Sequence, residues 1–372
     1  MSDGTKNKYI KELSRRYPTR NAVSAEIMNL SAILNLPKGT EHFMSDIHGE
    51  YEAFLHIRKS ASGAIRQKVE LLFGKTITTK ERSELATLIY YPKEKLNELR
   101  PTVEDLEDWY YVTITRLLEV CRLVSCKYTR SKVRKLLKNT AMGFDYIINE
   151  LLNKDYYGEA KSRYYENILK TIVEIGSSER FIVALCEAIK TLVVDHLHIV
   201  GDIFDRGPRA DIIMDELLKE RSVDIQWGNH DALWMGAASG SRTCIATVIN
   251  NSITYKNLDV IEIGYGISLR PLSLFANEVY SDTRISNYMP KGEGEGDFLK
   301  HEDDALIAKM HKAIAIIQFK LEGQCIMRNP EFEMSSRLLL DKIDFKAGTL
   351  RLDGKDYDLK DCDFPTVDPE NP

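Results

Sequence analysis

Long apolar runs are missing from these 372 residues: no uninterrupted stretch approaches the roughly 18 that a membrane span needs. The N-terminal segment, MSDGTKNKYIKELSRRYPTR, is charged throughout and lacks the apolar segment of a secretory leader. A cytoplasmic protein without membrane contact is expected. Cysteine is sparse, and Cys121, Cys126, Cys186, Cys244, Cys325 and Cys362 are scattered without C-x-x-C spacing. That pattern suggests neither a zinc knuckle nor a disulfide framework, and it predicts reduced, mostly buried thiols. Charge of one sign is not in large excess either. The net charge is -5 and the basic residues are dispersed, so no nucleic-acid footprint is present. An anionic substrate must therefore be attracted locally, by metal ions or a few placed arginines. Internal repeats and low-complexity tracts are also absent.

What remains is a chain with 43% hydrophobic and 29% charged residues, enough to bury a sizeable core. Helical spacing of Ile27, Leu30, Ile33 and Leu34 predicts helix from about Lys6 to Leu36, closed by Pro37-Lys38-Gly39. A short strand follows at His42 to Asp46. Residues from about Ala53 to Leu192 read as helical almost throughout, with one start at Pro101 to Asp105, where Thr102 can cap. Branched apolar residues and alternation predict a strand from Val193 to Asp202, then a helix from about Pro208 to Glu220 and a strand from Val223 to Trp227. Further on, a helix is expected around Asp304 to Leu321, and Asp353-Gly354 suggests a hairpin within Ile343 to Leu359.

Three short segments each follow a strand: Ser45-Asp46-Ile47-His48-Gly49, Gly201-Asp202-Ile203-Phe204-Asp205-Arg206-Gly207 and Gly228-Asn229-His230-Asp231. Functional groups repeated at strand ends converge along one edge of a sheet. Phosphate-ester hydrolysis is served by two divalent ions about 4 Å apart, held by carboxylates, imidazoles and amide oxygens from several loops. Asp46 and His48 can face one ion, Asp202 can bridge two, and Asn229 can reach the second. This mixture of hard oxygen and imidazole suits manganese, iron or zinc better than calcium. His230 is then free to protonate a leaving alkoxide, Asp205 to fix its tautomer, and Arg206 to clamp phosphate oxygens, with Asn229 a second substrate contact.

In this order, D-x-H, G-D-x-x-D-R-G and G-N-H-[DE] resemble the signature of the calcineurin-like metallophosphoesterases, which implies an α/β fold built as an α/β/β/α sandwich. The stretches NLPKGTEHFMSDIHGEY, LIYYPKEKL, KYTRSKVRKLL, LVVDHLHIVGDIFDRGP, VDIQWGNHDALWMGA and AIAIIQFKLE are similar to the class III fructose-1,6-bisphosphatases of Firmicutes and related bacteria. This second resemblance implies removal of the 1-phosphate of fructose 1,6-bisphosphate in gluconeogenesis, with Mn2+ as the activating ion of a dinuclear site. The domain reading is residues 1–55 as N-terminal helices, first strand and metal loop, 56–192 as a large helical insertion, and 193–372 as the remainder of a phosphoesterase core. A protein serine/threonine phosphatase or dinucleotide hydrolase on the same core, or a metal-poor scaffold, are the alternatives. A homo-oligomer is left open.

The superfamily completes its site with later histidines in H-G and G-H-x-x-V or G-H-x-H contexts, and neither context occurs here. The chain stops at Asp368-Pro369-Glu370-Asn371-Pro372, a turn-like sequence. An N-terminal fragment with weakened metal affinity and catalysis is the expectation. His301 and His311, in polar or helical surroundings, are not expected to be ligands, and His196 and His198 read as buried, hydrogen-bonded core residues. Trp227 and Trp234 read as core rather than site. The basic run from Lys127 to Lys135 could serve a sugar phosphate or a regulatory nucleotide, but a charge run on a helix is usually solvated, and that is the expectation.

Overall fold

A computed structural model describes residues 3–153, 159–290 and 300–368. The described residues fall into two compact units, one within Met1–His42 and His56–His196, the other within Phe43–Leu55 and Leu197–Pro372. The architecture is mixed α/β, mostly helical with two small sheets. Among the described residues no helix is long and apolar enough to cross a membrane.

In chain order the helices before the second strand are α1 (Asp3–Arg16), α2 (Arg20–Leu34), α3 (Tyr51–Ser60), α4 (Ala64–Phe73), α5 (Thr79–Tyr90), α6 (Pro92–Leu99), α7 (Leu106–Ser125), α8 (Arg130–Thr140), α9 (Asp145–Leu152), α10 (Glu159–Glu174) and α11 (Ser178–Val193). The apolar residues of α2 form a helix but stay exposed, so its periodicity does not mark a buried face here. Thr102 ends a 3-10 turn. Asp105, not Thr102, caps α7, accepting a hydrogen bond from Asp108 N at 3.0 Å. The core of this first unit gathers around α11, whose Phe181, Ile182, Leu185, Ile189 and Leu192 are fully buried, with Ile114 and Leu117 of α7 packed on it. A helix apolar on several faces belongs in the middle of a bundle.

The second unit carries strands β1 (Glu41–Ser45), β2 (His196–Val200) and β3 (Val223–Gln226), in the order β1-β2-β3, although the first residues of β1 and β2 belong to the helical unit. β2 and β3 are parallel, with Leu197 opposite Val223 and Ile199 opposite Ile225. One face of the sheet buries Met44, Leu197 and Ile199 with Ile203, and α12 (Ala210–Leu218) adds Ile213 and Leu217 to that core. The other face leaves Phe43 and Val200 exposed, and His198 stacks on Phe43 with ring centroids 4.4 Å apart. A second core joins α13 (Asn229–Ala238), α14 (Arg242–Thr254), α15 (Arg270–Val279) and α16 (Lys300–Arg328). The last strands, β4 (Ile343–Asp344), β5 (Thr349–Leu352) and β6 (Lys355–Asp358), form an antiparallel sheet. Its β5–β6 turn places Asp353 and Gly354 at φ 48° and 77°, as a tight hairpin of the Asp-Gly kind requires.

Several expectations are corrected. Only Cys121 and Cys186 are buried, whereas Cys126 is exposed, so the thiols are not mostly interior, although all six are free. Trp227 is 58% exposed and is not core. His196 and His198 are both only partly buried, although His198 is bonded through Nδ1 to Asp224 at 2.6 Å. Lys127 is not solvated: its side chain is 8% exposed and paired with Asp195 at 2.6 Å. The side chain of His301 and residues Pro369 to Pro372 lie outside the described residues.

Candidate metal centre

The loops after β1 and β2 are tied together by main-chain bonds. His48 N donates to Asp202 O and Gly49 N to Ile203 O, both at 2.8 Å, and Gly201 N reaches Gln226 O at the end of β3 at 2.7 Å. The loops approach so closely that a Cβ on Gly49 would overlap the Gly207 carbonyl, and one on Gly228 would overlap the Asp202 carboxylate. Side chains are excluded at those points because backbone and, at Gly228, also the Asp202 carboxylate occupy the space. Around this junction five non-glycine residues, Asp46, His48, Asp202, Asp205 and Arg206, have φ between 46° and 74°. Left-handed backbone at such residues costs energy and clusters at functional sites.

Asp46, His48 and Asp202 are brought together, each offering one ligand atom, and these atoms lie within 4.8 Å of one another. His48 directs Nδ1 at the Phe204 carbonyl, 3.3 Å away, which makes Nδ1 the donor and leaves Nε2 with a lone pair. That Nε2 lies 3.9 Å from Asp46 Oδ1. Two carboxylates and an imidazole held by the backbone in its ligating tautomer fit a divalent metal ion. Asn229 opens α13 and is exposed, with no hydrogen bond drawing its amide into the group among the described residues.

His230 sits beside this group. Its ring meets that of His48 edge to face with centroids 5.3 Å apart, and its backbone N donates to Asp202 Oδ1 at 3.2 Å. Nδ1 is bonded to Asp205 Oδ2 at 2.8 Å; a carboxylate only accepts, so Nδ1 carries the hydrogen and Nε2 is the atom available for proton transfer. The Asp205 side chain is 1% exposed and receives two more donors, Trp234 Nε1 on Oδ1 at 2.8 Å and Asn251 Nδ2 on Oδ2 at 3.0 Å. Arg206 is exposed, and its carbonyl is held by the Asn257 amide.

His196 and His198 lie with Asp224 in a second group whose candidate ligand atoms are within 4.8 Å of one another, whereas three other imidazoles are engaged elsewhere. His42 Nε2 meets Ser62 Oγ at 2.6 Å, His56 Nδ1 meets the Tyr91 hydroxyl at 2.7 Å, and both nitrogens of His311 are bonded, to Tyr288 O at 2.8 Å and Thr254 Oγ1 at 3.2 Å. Asp231, Trp234, Asn251 and Asn257 escape the sequence reading. Asp231 carried a signal, since an acidic residue at the third position of a helix can accept the N–H of the cap residue, as it does from Gly228. Asn251 carried none, standing 46 residues from its partner.

The model of the Firmicute fructose-1,6-bisphosphatase family matches residues 8–372. The chain belongs to that family. Within the Firmicute fructose-1,6-bisphosphatases it is 56% identical over 365 residues to fructose-1,6-bisphosphatase class 3 1 of Clostridium beijerinckii, covering 98% of this chain and 54% of the relative. It is 54% identical over 379 residues to fructose-1,6-bisphosphatase class 3 of Clostridium acetobutylicum, covering 100% and 56%. The class 3 enzyme of Clostridioides difficile is 53% identical over 368 residues, covering 99% and 55%. The chain thus spans about half the length of the curated family members it matches. No solved structure matches.

Proposed function

We propose that this chain carries out, or forms part of a protein that carries out, metal-dependent hydrolysis of the 1-phosphate of fructose 1,6-bisphosphate, giving fructose 6-phosphate and phosphate for gluconeogenesis. The observation that carries the reading is the convergence of Asp46, His48 and Asp202 within 4.8 Å, next to a His230–Asp205 pair. The relatives named fructose-1,6-bisphosphatase class 3 support the choice of sugar, which the geometry alone does not select. A cytoplasmic location goes with this reading. So does an α/β/β/α sandwich with the helical segment 56–192 inserted in its core; the exposed Phe43 and Val200 suit a sheet face that a second sheet would cover.

In this reading Asp46, His48, Asp202 and Asn229 hold a dinuclear manganese site. Such ions, when bound, neutralise phosphate oxygens and lower the pKa of water. Arg206 clamps the transferring phosphate with its planar fork, beside Asn229. Hydrolysis forms a bond from a water oxygen to phosphorus as the bond between phosphorus and the oxygen on carbon 1 breaks, and the departing oxygen needs a proton. His230 delivers it from Nε2, while Asp205 keeps Nδ1 protonated and offsets the imidazolium charge.

Manganese-dependent phosphate release from fructose 1,6-bisphosphate tests the reading, with a phosphopeptide and a dinucleotide as competing substrates. His230→Ala is expected to lower turnover by roughly 10²–10⁴-fold with metal content retained, and Asp202→Ala to lose the metal. Equal metal loss in both variants would refute the division of roles. No release by the manganese-loaded protein counts against activity in this chain by itself, and preference for the phosphopeptide counts against the assignment.

A further inference from the structure

A cavity of about 110 Å³ in the helical unit is lined by Lys38, Thr40, Lys68, Cys126, Lys127 and Val193, among others. It has several times the volume of one water molecule, about 30 Å³. Lys38, Lys68 and Lys127 line it, and the Asp195 carboxylate pairs with Lys127 and with the neighbouring Lys132. Asp195 Oδ2 accepts Lys127 Nζ at 2.6 Å and Thr40 N at 2.9 Å, and Lys132 Nζ stands 3.5 Å from Oδ1. Lys127 directs its other hydrogens at Val193 O, 2.8 Å away, and Thr40 Oγ1, 3.2 Å away. Its charge is therefore fixed in place at the cavity wall. Lys38 and Lys68 have no ion pair or hydrogen bond among the described residues.

The result is like charge gathered around a partly open volume beside the Asp195 carboxylate. Burial lowers the proton affinity of Lys127 against the pull of Asp195, and Lys68 and Lys132 act in the same direction as burial. An arrangement that repels itself becomes favourable when a counter-ion of matching size enters.

We propose that this cavity binds a small phosphate dianion, either inorganic phosphate or the head of a phosphomonoester, held by the ammonium groups of Lys38 and Lys68 with Lys127 contributing fixed charge. A phosphomonoester is largely doubly charged at neutral pH, its second pKa lying near 6. The site belongs to the helical unit and shares no residue with the candidate metal centre, so it stands or falls independently of the proposed reaction.

Cys126 supplies a reporter, because it lines the cavity and is exposed. Iodoacetamide alkylation of the whole chain, resolved peptide by peptide in metal-free buffer, is followed as inorganic phosphate or glycerol phosphate is added in separate arms against sodium chloride of equal ionic strength. Modification of Cys126 is expected to slow several-fold and saturably, with half-effect on the order of 1 mM, while that of Cys244 is unchanged. Protection by inorganic phosphate comparable to that by the ester identifies the free ion as a sufficient ligand, and clearly tighter protection by glycerol phosphate identifies an ester. The Lys38→Gln, Lys68→Gln double variant, with far-ultraviolet circular dichroism to verify its fold, is expected to lose the protection. Equal Cys126 rates with and without both probes, or undiminished protection in the double variant, would overturn the proposal.

Discussion

Asp205 meets three donors with two oxygens, those of His230, Trp234 and Asn251, and it does so in a nearly solvent-free position. A neutral amide there would turn an NH₂ toward at least one of these donors, so Asp205→Asn is expected to mis-set the His230 ring while Asp46, His48 and Asp202 keep their places. Turnover should fall by about 10²-fold or more with bound manganese unchanged, and metal analysis beside phosphate release separates this from loss of the centre. His42 makes a different prediction at the same scale. It is buried, and burial holds its pKa below the ordinary histidine value. The unfolded chain therefore binds the proton more readily than the folded one, so stability is complete above the unfolded pKa of about 6.5 and is lost as pH falls from there through the folded pKa. Urea midpoints measured at about pH 7.5 and about pH 5.5 should drop less in His42→Phe than in the parent protein; an equal drop would show that His42 carries none of the acid sensitivity.

At the scale of elements, the three strand-end loops were legible because each pairs a strand signal with a glycine and a group able to bind metal or transfer a proton. The spread of the supporting network was not. Asp231 reads as one more loop carboxylate, yet it is 4% exposed and accepts Ile203 N at 2.8 Å, Phe204 N at 3.1 Å and Gly228 N at 2.9 Å. It fastens the loop after β2 to the start of α13, and so positions Asp202 relative to Asn229 and His230. Asp231→Ala leaves three backbone donors without their acceptor, which should cost about 3 kcal/mol or more in urea denaturation. Asp231→Asn keeps a carbonyl oxygen and should recover part of that loss. If Asp231→Ala unfolds at the parental midpoint, the carboxylate is not what joins the two loops. Trp234 and Asn251 escaped for a related reason: they lie on α13 and α14, where helical packing is the ordinary role of such residues, and only three-dimensional proximity reveals their hydrogen bonds to Asp205. The exposed apolar side of α2 makes the complementary point, since periodicity predicts a helix but not what, if anything, covers it.

For the whole molecule, composition and hydrophobic spacing disclosed a mostly helical α/β protein, and the longer stretches from NLPKGTEHFMSDIHGEY to AIAIIQFKLE disclosed the family. The placement of residues 1–42 was not legible, because it depends on which distant segments meet: read from the sequence with residues 43–55 and 193–372, they cluster instead with the helices of His56–His196. The division into two units has a thermodynamic consequence. The described buried clusters do not mix the units: that of α7 and α11 lies in the first, whereas the sheet core and the α13 to α16 core lie in the second. A chain with separate cores is not bound to unfold in one step. The residues proposed to hold metal, Asp46, His48, Asp202 and Asn229, all lie in the second unit. An ion that binds only folded protein stabilises what it binds by RT ln(1 + [L]/Kd), about 2.7 kcal/mol at a hundredfold excess over Kd. Manganese should therefore raise hydrogen-exchange protection in β2 and α13 by up to that amount, while protection of α11 changes much less. Asp202→Ala should abolish the effect and leave α11 as it was. Equal protection of α11 and β2 by manganese would mean that the two units unfold as one, and protection of α11 alone would put the metal outside the proposed centre.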